Sequence, residues 1–272
     1  MRPELTVLVV TVNEMIRSGL TRAFDFSRRS NRFVLLATPG LGAAAGVVTL
    51  VAGKGWGRAF ANGFAAGGAA FLAWAVAREF HPDRPAVATV AATVAPLGVV
   101  LADPDLLAAG TILLVSRVVA GTTGRGLRWF DVALITAVAA PVAWRATGPG
   151  ILTTSAVALG VVALGQARWR LETGMTAVIL AGCGVLAWSR LDLAFDPEPW
   201  QLAVAGLGLF ALLGPRSVTV GTDRAGGTIL PRRVRLGRTY AWVSAAAAAL
   251  WMDPGAVLPV WSALAVTGLR PR

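Results

Sequence analysis

The sequence contains few of the residues that usually crosslink a protein or dissolve it in water. One cysteine and one histidine occur in 272 residues, and only 14% of the residues are charged. The lone Cys183 excludes a disulfide within the chain, and one cysteine with one histidine supplies too few ligands for a typical zinc centre. Because a soluble globule of this size needs more polar surface, we expect lipid to surround most of the chain.

The residues that are present favour the same conclusion. Hydrophobic residues make up 56% of the chain, and the mean hydropathy is +0.66. The net charge of +11 suggests an anionic partner. A DNA-binding domain gathers its basic residues on one soluble face, whereas here they occur in short groups between apolar segments. We therefore expect membrane lipids, including anionic ones, as partners and no nucleic acid.

Ten apolar segments have roughly the length needed to cross a membrane. They predict an all-α, polytopic membrane protein of about ten transmembrane helices arranged as antiparallel hairpins. The ninth segment is short, and the tenth carries Pro259 in its middle. For this pair, a hairpin that enters the membrane without crossing it is the alternative. The segments are residues 33–53, 57–77, 85–102, 106–121, 130–146, 150–166, 174–190, 199–214, 238–252 and 254–269.

The distribution of charge predicts the orientation of these segments. With a cytoplasmic N-terminus, only Lys54, Arg58, Arg145 and Arg190 fall outside, together with six acidic residues, and the inner side holds 21 of the 25 basic residues. Cytoplasmic connections of inner-membrane proteins are enriched in Lys and Arg in this way. We therefore expect an inner-membrane protein with both termini in the cytoplasm.

Two regions outside the spans are distinctive. Residues 1–32 contain an apolar stripe at helical spacing, which predicts an amphipathic segment on the cytoplasmic surface, with a poorly ordered tail as the alternative. Residues 33–272 then form the transmembrane domain. The connection at 215–238 is the longest and is strongly basic, which is typical of contact with anionic lipid.

Small residues recur every four positions in the first two segments. Gly42 and Gly46 form one such pair, and Gly63 and Gly67 form another. This spacing lets helix backbones approach closely in a membrane. We expect it to join helices within the bundle, with a homo-oligomer or a membrane-complex partner as the alternative.

The inner connection Ala77–Pro85 contains the only histidine, His81. Ordinary capping and loop rules account for much of it. Glu79, His81 and Asp83 alternate, but they lack the paired histidines of a helical zinc site, so we assign no metal. If a ligand binds here, His81 is the candidate proton donor or acceptor, with Asp83 or Glu79 orienting it.

Four inner connections each carry arginine, most of them with hydroxyls or glycines nearby. The guanidinium group offers a rigid fork of donors that suits phosphate oxygens. Arg117 lies within an apolar helix, where it needs a partner such as Glu79, Asp131 or a ligand phosphate. If the connections converge, we expect an anion site formed by Arg78, Arg84, Arg117, Thr122, Thr123, Arg125, Arg128, Arg168 and Arg170.

Taken together, these patterns predict a membrane protein that recognises a phosphate-bearing lipid or another anionic ligand at its cytoplasmic face. A transporter of small molecules or lipids is an alternative, although no clear ionisable residue lies at mid-membrane depth to couple ions. A scaffold or assembly subunit without its own ligand is a third reading. The sequence identifies neither a cofactor nor a reaction.

Overall fold

The chain forms a bundle of helices. The computed structural model describes residues 19–20, 26, 29–99, 102–165, 170–190, 198–207, 218–219, 221, 227–251 and 254–268. Within these ranges there are ten α-helices and, in place of a β-strand, a single bridge between Gly221 and Thr228. The all-α prediction is confirmed. The helices are α1 Arg29–Val51, α2 Gly55–Phe80, α3 Pro85–Gly98, α4 Leu106–Ala120, α5 Trp129–Ala139, α6 Gly148–Leu164, α7 Arg170–Arg190, α8 Pro199–Leu207, α9 Pro231–Trp251 and α10 Leu258–Gly268.

Each predicted apolar segment overlaps one of these helices, but the ends differ. For example, α9 begins at Pro231, seven residues before the predicted ninth segment. The fifth segment is interrupted, because α5 ends at Ala139 and a 3₁₀ turn, Ala140–Trp144, follows. Pro141 lies in that turn, where its missing N–H removes a helical hydrogen bond. A second 3₁₀ turn, Pro254–Val257, precedes α10. The eighth segment beyond residue 207 lies outside the described residues, and so does most of the N-terminal segment 1–32. The exceptions are residues 19–20 and 26, and residues 29–32, which belong to α1.

Three helices are long and apolar enough to cross a membrane. They are α1, α2 and the part of α7 from Leu171 to Arg190. The remaining apolar helices have between 10 and 17 residues, which is short for a complete span of a hydrocarbon layer about 30 Å thick. By length and composition, the chain has the character of a membrane protein.

Along the first part of α2, large apolar side chains are exposed, whereas small ones further along the helix are buried. Along α2, Trp56, Phe60 and Phe64 are 80%, 79% and 68% exposed, whereas Ala66 and Ala73 are fully buried. A water-soluble protein usually buries its large apolar residues. Small residues in the interior and large ones on the surface are instead characteristic of helices that associate within lipid.

The glycine pairs predicted from spacing join α1 to α2 within the chain. A Cβ atom on Gly63 would lie 2.9 Å from the backbone oxygen of Gly42, and a Cβ on Gly42 would lie 2.8 Å from that of Gly63. Gly67 contacts the backbone of Thr38 in the same way. The two backbones therefore touch at positions where no larger residue fits, which confirms the expectation that the stripes hold the bundle together.

The predicted outer charges form contacts with one another. Arg58 pairs with Asp103 at 3.2 Å, and Arg145 pairs with Asp105 at 3.4 Å. The guanidinium of Arg190 lies 5.1 Å from the centre of the Trp144 ring. Asp105 also caps α4, since its side chain accepts hydrogen bonds from the backbone N–H groups of Leu107 and Ala108. This end of the bundle thus has acidic or aromatic partners for most of its cations.

The close contact between α1 and α2 can be tested by adding a single methyl group. We expect Gly63→Ala to lower stability by about 1–3 kcal/mol, because the added carbon must push the two backbones apart. Gly40→Ala is the matched control, since Gly40 is also helical but has open space around it. Thermal unfolding of the purified protein in detergent measures both. Equal melting temperatures for the two variants would contradict the packing.

Candidate functional site

A buried ion pair lies at the end of the bundle opposite the Arg58–Asp103 pair. Glu79, in the last turn of α2, is fully buried, and its Oε1 atom accepts a hydrogen bond from Arg117 Nε at 2.8 Å. The hydroxyl of Thr122 donates to the other carboxylate oxygen, Oε2. A buried carboxylate is stable only when it is paired and hydrogen-bonded, and here both oxygens have donors.

The segment Gly19–Leu20 closes this network on the N-terminal side. Arg117 Nη1 donates to the backbone oxygen of Leu20 at 2.6 Å, and Gly19 N–H donates to Asp131 Oδ2 at 2.8 Å. A side chain at Gly19 would overlap the backbone oxygen of Gly126. Gly19 and Leu20 therefore contact α4, α5 and the connection that joins them.

Asp131 also shapes the start of α5. Its Oδ2 atom accepts a second hydrogen bond, from the backbone N–H of Arg128 at 2.9 Å. Arg128 precedes the first helical residue, Trp129, so the carboxylate satisfies a donor that the helix leaves unpaired. One buried carboxylate thereby links the N-terminal segment to the end of the α4–α5 connection.

The His81 turn contacts a different connection. His81 is 3% exposed and ends α2, with its backbone N–H donating to Ala77 at 2.9 Å. Both oxygens of Asp83 accept from the backbone N–H of Thr219, at 3.2 and 2.9 Å. Asp83 therefore attaches the long basic connection to the turn between α2 and α3.

Arg233, near the start of α9, caps the C-terminus of α4. Its Nε and Nη2 atoms donate to the backbone oxygens of Val119 and Val118 at 3.0 and 2.7 Å. Gly121 ends α4 with a φ of +64°, and a Cβ there would lie 2.5 Å from Arg233 Nη1. Glycine is thus required both by the left-handed backbone and by the guanidinium packed against it.

Burial lowers the pKa of the Arg233 guanidinium. Removal from water lowers the pKa of this guanidinium, and the neighbouring positive charge of Arg232 lowers it further. Arginine nevertheless stays protonated at neutral pH, because its ordinary pKa is above 12. Arg233 therefore places a permanent positive charge beside the carbonyl end of α4.

A cavity of about 210 Å³ opens where these segments meet. Its lining includes backbone from three separate connections and two arginines, and one side is formed by the first turn of α7. The lining residues that carry the argument are Gly19, Gly124, Arg125, Thr173, Thr228 and Arg233. The cavity can accept a small anionic group, since guanidinium donors and glycine-rich backbone both suit phosphate oxygens.

The structure brings some of the predicted anion-site residues together. Glu79, Arg117 and Thr122 form one network, and Glu79 is among the partners for Arg117 that the sequence suggested. Arg125 lines the cavity, and its backbone N–H donates to the Thr123 hydroxyl at 3.4 Å.

The other predicted residues are more scattered. Arg78 is 9% exposed in the last turn of α2, whereas Arg84 and Arg128 are exposed at the starts of helices. Arg170 begins α7. Arg168 lies outside the described residues. Among the residues that are described, no three His, Cys, Asp or Glu side chains are grouped so as to hold a metal ion.

Two arginines of α9 were not among the predicted site residues. Arg233 lines the cavity, and Arg238 is only 1% exposed. The Nε, Nη1 and Nη2 atoms of Arg238 have no hydrogen-bond partner in the described part of the chain. The sequence signal, four arginines within eight residues, indicated contact with lipid and did not distinguish the buried arginine from the exposed ones.

No protein family, curated protein sequence or solved structure matches this chain. Its fold and site define it only as an all-helical protein of membrane character with a basic cavity at one end.

The two buried arginines should respond to mutation in opposite ways. Arg117→Met removes the guanidinium that pairs with the buried Glu79, and we expect a loss of about 3–5 kcal/mol. Arg238→Met removes a buried charge that has no hydrogen-bond partner among the described residues, so we expect unchanged or increased stability. Thermal unfolding of the full chain in detergent compares them. A similar loss in both variants would show that Arg238 also has a partner in the folded protein.

Proposed function

We propose that the chain is a ten-span protein of the inner membrane, arranged as antiparallel hairpins, with both termini in the cytoplasm. We further propose that its cytoplasmic end binds a phosphate-bearing lipid or another anionic ligand. The orientation is supported by charge, since the end that carries Arg117, Arg125 and Arg233 belongs to the side with 21 of the 25 basic residues.

The dimensions of α2 support a membrane location for the bundle. Arg58 and Glu79 mark the polar contacts near its two ends, and the 21 residues between them correspond to about 30 Å of helix. This length matches the hydrocarbon core of a bilayer. The exposed Phe60 and Phe64 lie between these two levels, and the exposed Trp56 lies two residues before Arg58.

One observation carries the ligand proposal, namely the cavity in which three connections meet Arg125 and Arg233. Arg125 is exposed at its rim, whereas Arg233 is fixed by its bonds to the end of α4. The exposed Arg125 at the rim and the fixed Arg233 at the wall would contact an anionic headgroup from two sides. The cavity lies at the proposed level of the lipid headgroups, so an anionic lipid reaches it without leaving the membrane.

The buried Arg238 adds a second reason to expect an anion on this helix. A guanidinium removed from water without a partner is costly, and a bound anion would offset that cost. Arg238 follows Arg233 by five residues, about 7 Å further along α9. We infer that α9 is the element that senses the charge of the ligand.

His81 is the candidate for proton transfer if the bound ligand is also transformed. Its imidazole is buried beside the Glu79 network, at the end of α2. Because histidine titrates near neutral pH, it is the side chain best suited to move a proton here. The binding proposal does not depend on this role.

The orientation can be tested by labelling single cysteines in intact cells. In a Cys183→Ser background, we expect Lys54→Cys to react with a membrane-impermeant maleimide from outside. Arg125→Cys should react only after the membrane is permeabilised. The opposite pattern would reverse the topology and remove the cytoplasmic site from the proposal.

The ligand can be tested by identifying lipids and metabolites that remain bound during gentle purification. We expect native mass spectrometry to find a phosphate-bearing species whose occupancy falls about tenfold in Arg125→Ala, because a charge-assisted contact to phosphate is lost. Arg235→Ala is the matched control, since Arg235 is an exposed arginine of α9 that does not line the cavity.

The same measurement separates the remaining alternatives. A phosphate-bearing ligand retained equally by both variants, or the absence of any specific ligand, would contradict the proposal and favour a scaffold. If His81→Ala keeps the ligand but stops its turnover, the protein is also an enzyme.

A further inference from the structure

A larger cavity lies at the opposite end of the bundle, between α1, α2 and α3. Its volume is about 700 Å³, and its lining includes Lys54, Arg58, Asn62, Thr49 and Asp103. Apolar residues such as Val48 and Val99 complete the wall. This cavity shares no lining residue with the one that contains Arg125.

Its polar lining follows one face of a single helix. Arg58 and Asn62 are four residues apart, which places them on one side of α2, and Lys54 lies in the turn just before that helix. The exposed aromatic stripe, Trp56 and Phe60, follows a different face of the same helix. Cationic and amide groups are costly against hydrocarbon, so the face that carries them lines a space open to polar groups.

The rim of the cavity is positively charged. Arg58 is paired with Asp103, and both side chains are exposed. Lys54 is exposed in the turn between α1 and α2 and forms no ion pair with another described residue. After the Arg58–Asp103 pair is neutralised, one positive charge remains at the mouth, and its natural partner is an anion.

The deeper wall carries a neutral polar pair. Asn62 Nδ2 donates to Thr49 Oγ1 at 3.1 Å, and the Thr49 hydroxyl donates to the backbone oxygen of Ala45 at 2.8 Å. The Asn62 side chain has a second amide hydrogen and a carbonyl oxygen for further bonds. These groups suit hydroxyl or ester oxygens, while the apolar wall suits a hydrocarbon chain.

We propose that this cavity binds an anionic amphiphile, with a phosphate group at Lys54, hydroxyl or ester oxygens further along the molecule at Asn62 and a hydrocarbon portion along Val48 and Val99. The ligand class follows from a cation at the mouth that forms no ion pair with another described residue, and from the mixed polar and apolar wall below it. The phosphate can belong to a lipid headgroup or to a soluble phosphate ester. This site is separate from the proposed cytoplasmic site.

Binding of short-chain phosphatidic acid to the purified full-length protein in detergent tests the proposal. We expect Lys54→Gln to weaken binding about tenfold, since a charge-assisted contact is lost. Asn62→Leu should weaken it similarly by filling the polar wall with an apolar side chain. Arg190→Gln is the matched control, because Arg190 lies at the same end but does not line the cavity. All of these variants are compared in an Arg125→Ala background, so that binding at the proposed cytoplasmic site does not contribute to the measurement.

Two further probes decide the source and the specificity of the ligand. Competition by millimolar inorganic phosphate would support a soluble phosphate ester, whereas Lys54-dependent binding that resists this competition would support a lipid. Short-chain phosphatidylcholine should bind at least tenfold more weakly, because it has no net negative charge. Equal binding of the two lipids, or binding unaffected by Lys54→Gln and Asn62→Leu, would overturn the proposal.

Discussion

The carboxylate of Glu79 determines how one end of this bundle is built. A fully buried negative charge needs a cation and further donors, and the chain supplies them from Arg117 in α4 and from Thr122 in the connection after it. Arg117 can neutralise Glu79 only if α4 ends beside α2, and its remaining donor then holds the N-terminal segment at Leu20. The positions of α2, α4 and the N-terminal segment are thus linked through one ion pair.

The same residue type has three different environments in this end of the molecule. Arg117 is neutralised by Glu79, Arg233 caps the carbonyl end of α4, and Arg238 is buried with no hydrogen-bond partner in the described part of the chain. The first two arrangements stabilise the fold. Burial of Arg238 costs free energy unless an anion pairs with it, so this residue supports the binding proposal and does not stabilise the fold.

The two ends of the bundle differ in the way their charged side chains are paired. At the Arg58–Asp103 end, acidic residues and a tryptophan ring accompany most of the cations. At the other end, arginines outnumber the acidic groups, and Glu79, Asp83 and Asp131 are already engaged in holding connections together. By sequence this side carries 21 of the 25 basic residues, and that excess of positive charge is the physical basis of the proposed anion site.

Sequence alone was sufficient to predict the helical class, the approximate positions of the described helices and the use of the glycine pairs for close helix contact within the bundle. The length of apolar runs, the positions of prolines and the four-residue spacing of glycines depend only on residues close together in the sequence. They can therefore be recognised without knowing the tertiary structure. It did not reveal which arginines are buried, that Arg233 belongs to the cavity, or that Asp83 holds Thr219. Those facts depend on which helix ends meet, and only tertiary packing decides that. The sequence shows that a residue is arginine, but it does not show whether the guanidinium faces water, a carboxylate or a cavity.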